Sequence, residues 1–175
     1  FNEEQVLEEL IKRTVPAIES FVADYEIIFV DDGSTDNTLE ILLGYRKANP
    51  KIKVLALSRN FGHQAAYTAG LEHATGDIVA MMDGDLQDPP EVLSDMYNLI
   101  RKEGYDVVNA RKSSRKGNRL RNLYMQLFHR LFGKVAGLGD IGNAGNFSMM
   151  TRMAADALLS VKENIRYLPG IRSFI

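Results

Sequence analysis

The sequence predicts an α/β fold, a mostly parallel sheet flanked by helices, and three observations carry that prediction. Short apolar runs at 25–30, 52–57, 77–82 and 106–110 alternate with stretches of helical periodicity. The first run stops at a cluster of turn formers, Asp31-Asp32-Gly33-Ser34, and hands over to a helix and then another strand. At 175 residues and 45% hydrophobic content the chain can bury a core without staples and is expected to form one domain over 1–175.

Val6, Leu7, Leu10, Ile11 and Ile18 recur at three- to four-residue steps and open the chain with a helix, in which Pro16 is a kink or boundary. The strand at 25–30 follows, and Ser34 or Thr35 is expected to cap a helix over 36–48 that Asn49-Pro50 closes. A strand at 52–57, a loop at 58–63, a helix at 64–74 and a strand at 77–82 continue the alternation. Pro89-Pro90 stands where proline is tolerated at a helix start, and Val92, Leu93, Met96, Leu99 and Ile100 mark a buried face up to Gly104. A strand at 106–110, a long amphipathic helix at 118–135, a glycine-rich stretch, a strand at 146–150 and a helix at 153–161 complete the reading. Both ends read as cut: Phe1-Asn2-Glu3-Glu4 runs straight into a helical pattern, and the chain stops at Ile175 without a closing charge cluster.

Composition excludes several classes. There is no cysteine, so disulfide frameworks, thiolate nucleophiles and cysteine-ligated zinc are ruled out by inventory. A net charge of -2 does not fit a general polyanion binder, and no nucleic-acid partner is expected. No apolar run approaches the roughly 18 residues that span a bilayer, so the fragment itself is expected to be soluble.

The strongest local signal is Asp83-Gly84-Asp85 directly after a buried strand. Two carboxylates one residue apart at a strand's carboxyl end offer hard oxygen ligands suited to Mg²⁺ or Mn²⁺, whose other ligands would be water and diphosphate oxygens. Asp31-Asp32, at another strand end, falls on the same side of a parallel sheet, where ligand crevices form. Taken singly, each cluster also reads as a turn with a helix cap.

The segments Asn2-Glu3-Glu4, Val30-Asp31-Asp32-Gly33-Ser34-Thr35-Asp36, Ser58-Arg59-Asn60-Phe61-Gly62-His63, Ala69-Gly70-Leu71, Gly76-Asp77 and Met82-Asp83-Gly84-Asp85-Leu86-Gln87-Asp88-Pro89-Pro90-Glu91 occur in that order. Together they resemble the family 2 glycosyltransferases of the GT-A fold, in particular the branch similar to dolichol-phosphate mannose synthase and the bacterial polyprenyl-phosphate glycosyltransferases. The likeness is dense to about Arg111 and looser beyond. It implies that Asp31 and Asp32 bind the base and ribose of a nucleotide, with Glu3 and Glu4 near the same pocket, and that Asp83, Asp85 and Gln87 hold the metal. It also implies a strand ahead of the Asn-Glu-Glu segment, without which the sheet keeps an uncovered edge.

Residues 111–134 contain Arg111, Lys112, Arg115, Lys116, Arg119, Arg121, Arg130 and Lys134 and no acidic residue. Such a stretch can neutralise a leaving diphosphate or a phosphate acceptor, and it also reads as a solvated helix face. Arg111 stands where the family has a phosphate-contacting arginine, and Arg115 and Arg121 are the next candidates for the donor. Leu120, Leu123, Tyr124, Leu127, Phe128, Leu131 and Phe132 form an apolar stripe that suits either core packing or a helix meeting lipid. Asn146 replaces a carboxylate in a segment that often reads Gly-Asp-Phe in the family, which leaves Asp140 as the nearest candidate base. A phosphate monoester needs no base because it is already anionic near neutral pH. His63 falls at a position where phosphate or acceptor contact is conceivable, while His73 and His129 read as surface groups.

The expected function is inverting, metal-dependent transfer of a sugar from a nucleotide sugar to a polyprenyl phosphate at the cytoplasmic face of a membrane, with Asp85, Arg111 and Asp140 as candidate catalytic residues. Transfer to a saccharide acceptor, nucleotidyl transfer and a non-catalytic nucleotide-sugar-binding module remain open. So does the oligomeric state, a homo-oligomer included.

Overall fold

The structure, a computed structural model, describes residues 1–110 and 146–161. Helix α1 (Leu7–Glu19) buries Leu7, Leu10, Ile11 and Thr14 on one stripe and carries Pro16 inside it at an exposed position, so that the carbonyl deprived of its partner faces water and the helix runs through. Strand β1 (Ile27–Asp31) leads to α2 (Thr38–Ala48) and β2 (Ile52–Ala56), and β1 pairs β2 in parallel, Ile27 opposite Ile52 and Asp31 opposite Ala56. Helix α3 (His63–His73), β3 (Ile78–Met81), a short 3-10 turn (Pro90–Val92), α4 (Leu93–Glu103) and β4 (Val107–Asn109) follow. Strand β5 (Ser148–Thr151) and α5 (Arg152–Ser160) end the described chain, with Thr151 Oγ1 accepting the Ala154 N–H as an N-cap.

The described strands are less uniformly parallel than the alternation predicts. Strand β5 lies between β3 and β4 and runs antiparallel to both, Val79 and Val107 each facing Met150. The alternation of strand and helix predicts a parallel return only across a short crossover, whereas the stretch 111–145 separates β4 from the described start of the β5 segment, a length that permits either direction. Alternate side chains still feed two faces, as a sheet flanked by helices requires. Val79, Met81 and Met150 pack with Leu71 of α3 and with Ala155 and Leu158 of α5, whereas Met149 and Phe147 pack with Leu93, Met96 and Ile100 of α4. Leu7, Leu10 and Ile11 join Leu42 and Ile52 in a third cluster under α1 and α2.

The core is divided because a cavity of about 840 Å³ runs between the two sheets. It is lined by Ile27 to Asp31 of β1 on one side and Ile78 to Met81 of β3 on the other, with α1 and α3 closing it. Among the described residues β1 pairs only with β2, and β3 only with β5, so the free edges of both strands belong to this cavity. That explains why Ile27 to Val30, an apolar run that reads as fully buried, is only half-buried. The cavity opens at the carboxyl ends of β1 and β3 onto the acidic clusters.

Candidate active site

The turn after β1 is bound to the rest of the molecule by its own carboxylates. Asp32, 5% exposed, accepts the Phe61 N–H on Oδ1 at 2.8 Å and the Gly62 N–H on Oδ2 at 2.9 Å, so both oxygens clamp the loop at 58–62. Gly33 sits at φ +70°, and a Cβ there would lie 2.5 Å from the Arg59 carbonyl carbon, so this close approach of two backbones requires glycine. Arg59 in turn lies over the Phe61 ring, 4.4 Å from its centroid. Asp31, 2% exposed, accepts the Ser34 N–H on Oδ2 at 3.2 Å, and its buried Oδ1 has no hydrogen-bond partner among the described residues. A buried carboxylate oxygen without a donor is a strong acceptor position for a ligand N–H or O–H.

Glu3 and Glu4 divide between the site and the scaffold. Glu4 Oε2 accepts from both the backbone N–H and the side-chain amide of Asn37 at 2.9 Å, and Asp36 Oδ1 accepts the Thr38 N–H at 3.0 Å. The start of α2 is thus satisfied by Glu4 and Asp36 and not by Ser34 or Thr35, whose hydroxyls meet Asn2 instead. Burial works against ionisation of Asp36, but hydrogen bonds from Thr38 and from the Glu4 N–H outweigh it and hold that carboxyl below its ordinary range. Glu3 lines the cavity, and its carboxyl is raised above the usual value by burial first, with the charges of Asp85 and Asp36 adding.

The loop after β3 is held differently. Asp83 Oδ1 accepts the Tyr67 hydroxyl at 2.6 Å and lies 3.1 Å from His63 Nε2, both on α3. The Asp83 N–H reaches Asp88 Oδ2 at 3.3 Å, and Asp88 is 3% exposed, so it ties the loop back on itself. Asp85 Oδ1 accepts the Gln87 N–H at 3.0 Å, and Leu86 between them takes φ +60°, a left-handed conformation that costs energy for a γ-branched residue.

Asp31, Asp32, Asp83 and Asp85 all line the one cavity, together with Glu3, His63 and Tyr67. Two strand tips separated by 52 positions in the chain therefore share a cleft. Gln87 is exposed on the same loop, and its backbone serves Asp85. Arg111, Arg115, Arg121 and Asp140, with the basic stretch and its apolar stripe, lie outside the described residues. Tyr67 and Asp88 are site residues that sequence reasoning missed; their roles depend on contacts across the fold, and only the one-turn spacing of His63 and Tyr67 on α3 hinted at a shared face.

The model for glycosyl transferase family 2 matches residues 1–159. This chain belongs to glycosyl transferase family 2. Among the curated relatives of this family-2 chain are the uncharacterized glycosyltransferase YkcC of Bacillus subtilis (strain 168), 37% identical over 179 residues, and the uncharacterized glycosyltransferase sll0501 of Synechocystis sp., 36% identical over 176 residues. Each match takes in the whole of this chain but only 54% and 55% of those relatives, so the chain spans about half their length. Among solved structures, the mannosyltransferase PcManGT of Pyrobaculum calidifontis, in complex with GDP-Man and Mn²⁺, superposes with a TM-score of 0.62 over 99% of this chain and 48% of that one, at 18% identity. That likeness shows the fold, the GT-A architecture expected from the sequence.

Whether the family-2 site fits a divalent cation can be judged from its donor set. Among the described residues no group of three or more His, Cys, Asp or Glu side chains forms a self-contained metal cage. Asp83 and Asp85 nevertheless supply two hard carboxylates from one short loop at the acidic end of the cavity. Mg²⁺ and Mn²⁺ in phosphate chemistry characteristically take one or two carboxylates and complete their shell with substrate phosphates and water, so the donor set fits.

Proposed function

We propose that this domain binds a nucleotide sugar and a divalent cation and transfers the sugar, with inversion, to a polyprenyl phosphate presented at the cytoplasmic face of a membrane. The observation that carries the donor half of this reading is the shared cleft of Asp31 and the Asp83 to Asp85 pair. Asp31 Oδ1, buried and lacking a donor, is suited to an N–H of the base or an O–H of the ribose. Asp32 shapes the rim by gripping the loop at 58–62, and Glu3, its carboxyl raised above the usual value by burial, lines the same cleft beside Asp85. Asp83 and Asp85, with Gln87 beside them, would hold the cation, which when bound neutralises the charge that develops on the leaving diphosphate. PcManGT, which shares the fold, is in complex with GDP-Man and Mn²⁺, and this supports the same ligand classes here.

The acceptor half rests on chemistry. Asn146, at the start of the segment leading into β5, is an amide and cannot take a proton from a sugar hydroxyl. A phosphate monoester is already a nucleophile at neutral pH, and the basic stretch at 111–134 is the complement such an acceptor needs. Arg111 is assigned to the departing diphosphate, with Arg115 and Arg121 supporting it, and Asp140 is the one carboxylate kept as a candidate base. No helix among the described residues is long and apolar enough to cross a membrane; the apolar stripe within 120–132 is the segment we assign to lipid contact.

The test uses the full-length protein with UDP- and GDP-sugars, undecaprenyl phosphate in detergent micelles, and Mn²⁺ or EDTA. Metal-dependent formation of a lipid-linked sugar is the expected result. Transfer only to saccharide hydroxyls would overturn the acceptor assignment, and donor binding without turnover on any acceptor would leave a binding module.

A further inference from the structure

The geometry points to Tyr67 as a positioning residue for Asp83, acting with His63 to fix the carboxylate that faces the cation. This rests on the reading of Asp83 and Asp85 as the metal pair. The Tyr67 hydroxyl donates to Asp83 Oδ1 at 2.6 Å, at the short end of the range for an O–H···O hydrogen bond. His63 Nε2 lies 3.1 Å from the same oxygen, and the two rings meet edge to face with centroids 4.7 Å apart. His63 and Tyr67 are four residues apart on α3, so they present one face of the helix to one oxygen. Asp83 thus spends Oδ1 on the protein and keeps Oδ2 for a ligand.

The helix that supplies these donors is itself fixed by the nucleotide side of the cleft. Asp32 holds the Gly62 N–H at the N-cap of α3, and further along Gly70 packs so close to Val30 of β1 that a Cβ would lie 3.2 Å from its Cγ2. The Tyr67 ring packs against the cluster of Leu71, Val79 and Met81. From the β5 side, the Asn146 amide nitrogen lies 2.7 Å from the same His63 Nε2, so that nitrogen serves Asp83 as a donor or Asn146 as an acceptor, not both at once. A continuous path of contacts therefore runs from Asp32 through α3 to Asp83, and the carboxylate's orientation depends on the turn that shapes the nucleotide rim. Residues that orient metal ligands from behind typically set affinity by 10- to 100-fold.

The experiment titrates Mn²⁺ into the full-length protein with saturating UDP, and separately GDP, following free Mn²⁺ by electron paramagnetic resonance. Tyr67→Phe keeps the ring and removes only the hydroxyl. It is expected to weaken Mn²⁺ binding about 10-fold, to leave metal-free nucleotide affinity and Tm at wild-type values, and to regain turnover at raised Mn²⁺. His63→Ala, at an exposed position, is expected to shift Mn²⁺ affinity in the same direction and carries the test should the Tyr67 variant fail to fold. Wild-type Mn²⁺ affinity in a folded Tyr67→Phe protein, with Asp85→Ala abolishing it, overturns the positioning role alone. Mn²⁺ binding that is absent from the wild type, or untouched by Asp85→Ala, overturns the metal reading as well.

Discussion

The two acidic tips of the cleft are built on opposite plans. At the β1 tip, Asp32 gives both oxygens to backbone N–H groups and Gly33 lets two backbones touch, so most of the polar capacity there is consumed by the fold, with Asp31 Oδ1 left over. At the β3 tip, Asp83 is held by side chains from a neighbouring helix and Asp85 by one N–H of its own loop, around a residue in a strained conformation. The contrast teaches that paired aspartates at strand ends are not equivalent by type. Carboxylates with both oxygens clamped by backbone make a rigid wall whose loss costs stability, whereas carboxylates with one oxygen engaged keep the other available for a ligand whose loss costs activity.

Substitutions at the two tips should separate in this way. Asp85→Ala is expected to reduce turnover by about a thousandfold or more and to leave Tm nearly unchanged, because its carboxylate serves one local N–H; a large fall in Tm measured by calorimetry would show that the β3 tip is structural after all. Gly33→Ala reverses the pattern, with an expected loss of about 3 kcal/mol from a positive φ and a clash with the Arg59 backbone. Urea denaturation checks it, and a neutral result would remove the close packing on which the rigid wall depends. Asp32→Asn replaces one acceptor oxygen by an amide that faces an N–H donor, and about 1–3 kcal/mol is expected by the same measurement.

The smallest effect sharpens the comparison at the amino end of β1, at the end of the cavity away from the acidic tips. Burial opposes ionisation of Glu26, yet the Lys53 ammonium and two hydrogen bonds from Thr75 prevail and lower its carboxyl from 4.5 to about 2. A depressed folded-state value adds stability that is complete above 4.5 and is lost as pH falls toward 2. Glu26→Gln should therefore cost about 1 kcal/mol at pH 7, modest because Lys53 is half exposed, and its stability should converge with wild type near the acid end of a pH series.

Much of this was legible in the chain itself, because strand ends announce themselves. The runs before Asp31 and Asp83 end where turn formers begin, and both became strands feeding one cleft. What was not legible depends on partners distant in sequence. Ser34 and Thr35 have the chemistry of N-caps, but Glu4 and Asp36 reach the α2 start first. Tyr67 reads as an ordinary apolar helix position until α3 is laid beside the loop after β3. The antiparallel course of β5 could not be read from periodicity, which reports which side chains are buried and not the direction of a neighbour.

The most direct measurement is calorimetric affinity for UDP and GDP with and without Mn²⁺ on full-length wild type, Asp31→Asn, Asp85→Ala and the double variant. If one ligand spans both strand tips, Asp31→Asn weakens nucleotide binding whether or not metal is present, Asp85→Ala removes only the enhancement by Mn²⁺, and the double variant loses both. Nucleotide affinity and Mn²⁺ enhancement unchanged in all three variants would contradict a shared donor site in this cleft.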